Sequence, residues 1–145
     1  MSFQFTLQKL LTVKENEKQH MERSYQKAYA NFEKIAQTLY TFLKQKETIE
    51  RLQAEGIQQG AVIGEIQKWQ SNLDHVQKEI DHFQPLFQMA RQEAERSKAS
   101  LIEKSIDVKR YEKLKKLEYE KFLKKRKAEE MAQMDELSTT RFAHR

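Results

Sequence analysis

Stepping alternately by four and three residues from Leu7 lands on Leu11, Lys14, Lys18, Met21, Tyr25, Ala28, Phe32, Ile35, Leu39, Phe42, Lys46, Ile49 and Gln53. Ten of these fourteen positions are apolar or aromatic. A 3.5-residue repeat sustained that far predicts a helix burying one narrow stripe against a second helix. The same step from Val62 lands on Ile66, Trp69, Leu73, Val76, Ile80, Phe83, Phe87, Ala90, Ala94, Ser97, Leu101, Lys104, Val108 and Tyr111, and thirteen of those fifteen are apolar. All three glycines, Gly56, Gly60 and Gly64, fall at the junction of the two repeats, where they read as a turn. The prediction is all-α: a long antiparallel two-helix coiled coil forming one domain over residues 1–145. Its first helix covers about 3–54, its turn about 55–61 and its second helix about 62–137.

A fold-back at the glycines sets a register in which Gln53 faces Val62 and Leu7 faces Val108, so that paired residue numbers sum to about 115. Past Tyr111 the same step gives Lys115, Glu118, Phe122 and Lys125. The seam is therefore expected to stop there, leaving the second helix to overhang from about Glu112 onward. Pro85 removes a ladder hydrogen bond and crowds the turn before it. The repeat crosses it in phase, from Phe83 to Phe87, which predicts a kink and not a loop.

Composition narrows the picture. Of 145 residues, 34% are charged and only 38% apolar, too little for a thick core but enough for a seam. With no cysteine, disulfides and thiolate chemistry are excluded. No run approaches the length of a membrane-spanning helix, and the N-terminus lacks the basic start and apolar core of a secretory signal, so a soluble, cytoplasmic chain is expected. Four histidines, His20, His75, His82 and His144, are the only groups that ordinarily titrate near neutrality. His75 and His82 are seven apart, outside the i, i+4 spacing of a helical metal pair. With no HExxH, phosphate loop or nucleophile elbow either, the chain reads as no enzyme, with no cofactor and no metal.

Charge and surplus apolar residues mark two candidate surfaces. Arg110 to Lys127 holds nine basic residues against Glu112, Glu118 and Glu120, after which come Glu129, Glu130, Asp135 and Glu136. This stretch suits a solvated overhang with i, i+4 pairs, a docking rod for an acidic partner, or a nucleic-acid footprint. Leu114, Leu117, Phe122, Leu123, Met131 and Met134 lack a first-helix partner in the predicted register, although Phe3 and Phe5 are placed to cover part of that end. Near the turn, Tyr40 and Leu43 widen the apolar arc beside Leu39 and Phe42, opposite Trp69, Leu73 and Val76. That surplus reads either as a locally thicker core or as a contact surface.

Three stretches carry a resemblance. The opening Phe3-Gln4-Phe5-Thr6-Leu7-Gln8-Lys9-Leu10-Leu11 continuing to Lys14-Glu15, the run Gln67, Trp69, Ser71-Asn72-Leu73-Asp74 and Ile80, and the closing Met134-Asp135-Glu136 are similar to the FliJ family of bacterial flagellar export proteins. Ile66 stands where that family favours an aromatic and Trp69 where Phe is common; Pro85 also departs from its pattern. The resemblance implies a coiled coil that couples a hexameric flagellar export ATPase to the export-gate membrane subunit and escorts export chaperones. It would be associated with the inner face of the cell membrane only through those partners. On that basis Lys113, Lys116, Leu117, Lys121, Phe122, Lys124 and Arg126 are the expected ATPase contacts. Leu39, Phe42, Trp69, Leu73 and Val76 are the expected gate contacts. The rival reading, a basic helical nucleic-acid binder, rests on the charge run alone. The run carries no Asn or Gln at base-reading positions and is interrupted by acidic residues, so no nucleic acid is expected as a partner.

Overall fold

A heptad stripe on a charged chain can be dried only by another stripe, and the two repeats supply one each. The computed structural model describes residues 2–143. It contains α1, Gln8–Gln58, and α2, Ile63–Ala143. The fold is all-α, the two helices packed against each other as an antiparallel hairpin. Every α1 seam position named above is at least partly buried, including Lys14, Lys18, Lys46 and Gln53. Their long stems cover apolar surface while the polar heads reach water.

Packing falls into two compact units. One joins the N-terminal residues through His20 to the chain from Ile102 onward, and the other is Met21–Leu101. In the second unit, Leu39, Val76 and Ile80 are buried, with Phe42, Ile49, Phe83 and Phe87 packed around them. Phe42 stacks on Phe83 at 5.8 Å and Phe32 on Phe87 at 5.2 Å between ring centroids. In the first unit, Phe5, Leu11 and Val108 are buried beneath Phe3, Leu7 and Tyr111.

The turn lies later than the glycines alone suggest. Gly56 lies within α1, and its lack of a Cβ leaves room for the indole of Trp69. The helix stops instead at Gly60, whose φ of 80° is costly for any residue with a Cβ. The amide of Gly60 donates to Ile57 O at 3.2 Å and that of Ala61 to Gly56 O at 2.8 Å. Those are the two bonds of a Schellman cap. α1 therefore runs to Gln58, beyond the expected 54, and paired residues sum to between 119 and 125 instead of about 115, as in Phe32–Phe87 and Phe42–Phe83. Val62, expected in the seam, is 66% exposed in the turn.

Two further expectations change. α1 begins at Gln8, not near residue 3, because residues 2–7 lie as a non-helical strap over α2. Their contacts carry the seam past Tyr111. Gln8 accepts a bond from Lys115 at 2.9 Å, Thr6 donates to Glu118 at 2.6 Å, and Phe3 meets Phe122 at 5.5 Å and Tyr119 at 5.1 Å. The stretch of α2 without a partner from α1 or the strap therefore starts near Leu123, where exposure becomes continuous, and not at Glu112. At Pro85 the helix continues without a loop, and α2 extends to Ala143, past the expected 137.

Candidate interaction surfaces

The basic end is built on α2 within the first unit. Lys113, Lys116, Lys121, Lys124 and Arg126 are all exposed, and Leu117 is 47% exposed beside them. Among the described residues, only Arg126 of this group is in an ion pair, with Glu130 at 3.5 Å. Phe122 is different: it is half-buried and covered by Phe3. Phe3, Phe122, Glu118, Lys121 and Lys125 line a shallow groove of about 420 Å³ with Ser2 and Gln4. Beyond it, Leu123, Met131, Met134 and Leu137 are exposed, as are the acidic residues between them. What this end offers chemically is a set of free ammonium groups interleaved with half-exposed leucines on one helix. A second hollow of about 390 Å³ lies beside it, lined by Phe122, Lys125, Arg126, Glu129, Glu130 and Gln133.

Nearer the turn, in the second unit, the five expected contact residues divide. Leu39 and Val76 are 8% and 4% exposed and belong to the core. Phe42 stacks on Phe83 in the seam, Trp69 fills the space at Gly56, and Leu73 is half-buried. The surface beside them is formed by residues off the repeat. Tyr40 is 61% exposed, with the Lys44 ammonium 5.6 Å from its ring centre, and Leu43 is exposed on the same helix. Tyr40, Thr41, Lys44, Gln45, Thr48 and Ile49 line a groove of about 410 Å³ along α1.

One charged arrangement escaped the sequence reading. Lys14 and Lys104 occupy seam positions, and both reach Glu17 Oε2, at 3.5 and 3.0 Å. The Lys104 ammonium, in close contact with its oxygen, holds the Glu17 carboxyl below its ordinary range, aided by Lys14 and opposed by partial desolvation. The same contact, then the Glu17 charge, raises Lys104. Glu17 is polar and off the stripe; only the register, which sets Lys104 opposite it, marks the pair.

Three of the four histidines fall among the described residues. His20, His75 and His82 are exposed, and His144 lies outside the described residues. No three His, Asp or Glu side chains there converge as metal ligands, and no helix there is long and apolar enough to cross a membrane.

Comparison with known proteins shows a family. A family model described as Flagellar FliJ protein matches residues 3–145. A curated relative from Bacillus subtilis (strain 168), named Flagellar FliJ protein, is 34% identical over 142 residues, covering 98% of this chain and 97% of the relative. No solved structure matches.

Proposed function

The chain belongs to the FliJ family of flagellar proteins, and from that membership we propose that it is a non-enzymatic component of the flagellar protein export apparatus. It works in the cytoplasm, coupling a hexameric export ATPase to the membrane subunit of the export gate and escorting export chaperones. Its association with the membrane runs through those partners. The observation that carries this reading is the basic end of α2, where exposed lysines, in no ion pair among the described residues, surround Leu117 and the helix runs on past its last partner near Leu123. Lys113, Lys116, Lys121, Lys124 and Arg126 supply charge to an acidic ring surface. Leu117 supplies apolar contact, and Phe122 joins it once Phe3 is displaced. Coupling asks of this protein length and stiffness, which a heptad hairpin provides.

The gate-facing surface is formed by the exposed flank Tyr40 and Leu43 with the accessible parts of Phe42, Trp69 and Leu73. Leu39 and Val76 hold that flank in place from the core. Replacing Lys124, Lys125, Arg126 and Lys127 together by alanine should weaken binding to the export ATPase, most strongly at low salt. Unchanged binding removes the electrostatic part of the reading. Nucleic-acid binding is the rival for the same lysines. A duplex DNA titration separates the two, because that rival requires an affinity that falls steeply with salt.

A further inference from the structure

α2 carries a second heptad row that α1 does not touch. Steps of four and three along the helix join Leu114, Leu117, Lys121, Lys124, Ala128 and Met131, with Arg110 before them and Asp135 after. Each of these eight is exposed. At about 100° per residue the row lies roughly 130° around the helix from the seam row of Val108, Tyr111, Lys115 and Glu118. Of the row, Lys121 borders the groove it shares with Ser2, Phe3 and Gln4 of the N-terminal strap, and it remains exposed there.

Charge along this row is divided, basic at Arg110 and acidic at Asp135. The two ends of one helix are about 37 Å apart and cannot meet. They meet when a second copy lies antiparallel. We propose that two copies of this chain pair through this row, α2 against α2, about a two-fold axis near Lys121 and Lys124. Setting Arg110 opposite Asp135 of the partner copy brings Leu114 opposite its Met131 and Leu117 opposite its Ala128. In an antiparallel pair, flanking positions of the same side face each other, so Glu120 meets Lys127 of the partner copy. The two-fold axis makes each of these contacts twice. The row thus carries its own complement, which selects a second copy over an unrelated acidic helix as the occupant.

One contact opposes the rest. Lys121 and Lys124 face each other across the axis, so the dimer is weak. This pairing stands whether or not the export reading does, since it rests on the chain's own two halves.

Sedimentation equilibrium of the full chain at low ionic strength, from low to high micromolar, tests it. The wild type should pass from monomer to dimer across that range. Arg110→Glu and Asp135→Arg should each weaken the dimer by roughly tenfold or more, and the double variant should restore it. Lys121→Leu with Lys124→Leu should tighten it. All four positions are exposed on one helix face, so circular dichroism should report unchanged helicity. A wild type that stays monomeric throughout overturns the proposal and leaves the row to a different acidic helix. So does a dimer to which both single charge reversals are indifferent.

Discussion

The three glycines, similar in sequence, should respond in three different ways to the same substitution. At Gly56 an added Cβ overlaps the outer edge of the Trp69 ring. Gly56→Ala gains helix propensity, about 1 kcal/mol, but forces the indole out of its seat, an overpacking cost of about 1–3 kcal/mol. The expected net effect is a loss of about 1 kcal/mol, or about 2–4 °C in Tm for a chain of this size. Gly64, by contrast, has nothing near its Cβ position and lies in the first turn of α2. Gly64→Ala should therefore stabilise by about 0.5–1 kcal/mol. Gly60 also has open space, but its φ of 80° makes alanine strained, at a cost of about 1–2 kcal/mol. Trp69 is the sole tryptophan, so its emission reports the Gly56 site alone. Gly56→Ala should shift that emission to the red and lower the melting temperature together, while Gly60→Ala lowers the melt without moving the spectrum. If Gly56→Ala left the emission unchanged and stabilised the chain as Gly64→Ala does, the close approach of Trp69 to the helix backbone would be refuted.

Three other perturbations probe the hairpin. Phe3→Ala removes two ring contacts, with Tyr119 and Phe122, and should destabilise by about 1–3 kcal/mol; an unchanged chemical-denaturation midpoint would mean that the strap does not hold α2. Pro85→Ala restores a ladder donor inside α2 and should stabilise by up to about 3 kcal/mol in the same assay; a lower midpoint would contradict it. The Glu17–Lys104 pair contributes on both flanks of pH. Because the Glu17 carboxyl is lowered on folding, its contribution is full above the ordinary carboxyl value of 4.5 and is lost as pH falls through the lower folded value. Because Lys104 is raised, its contribution is full below 10.5 and is lost as pH rises through the higher folded value. Glu17→Gln should flatten the acid limb of Tm against pH, and an acid limb identical to wild type would discount the pair.

Periodicity alone was enough to read the architecture. Two stripes with a glycine-marked junction specify an antiparallel hairpin, and the α1 stripe proved shielded along its whole named length, lysines included. Register was harder, because it depends on which glycine ends the helix. Gly56 and Gly60 look equivalent until Trp69 is known to lie against one of them and the other to adopt positive φ. The strap was harder still. Phe3 and Phe5 follow no period; Phe5 is buried with Leu11 and Val108, and the covering of Phe122 by Phe3 shortens the unpartnered part of α2 by about ten residues. The candidate surfaces were legible in part. Charge marks the basic end without any geometry, since exposed lysines need no partner to be recognised. The apolar surface near the turn is confounded with the seam: Leu39 and Val76 lie in the core, and Tyr40 and Leu43 are the exposed apolar residues beside them.

The central claim is that the end of α2 beyond its α1 partner engages the export ATPase. Truncation after Leu123 tests it most directly, because the last seam contact, Phe3 with Phe122, is retained and the hairpin should melt much as the full chain does. The measurement is the turnover and assembly size of the matching flagellar export ATPase, titrated at low salt with the full chain and with the truncated one. The account predicts that the full chain raises turnover and enlarges the assembly, and that the truncated hairpin, which keeps Lys113, Lys116, Leu117, Lys121 and Phe122 but loses Lys124 and Arg126, does both more weakly. Equal stimulation by both, or binding by neither, would contradict it.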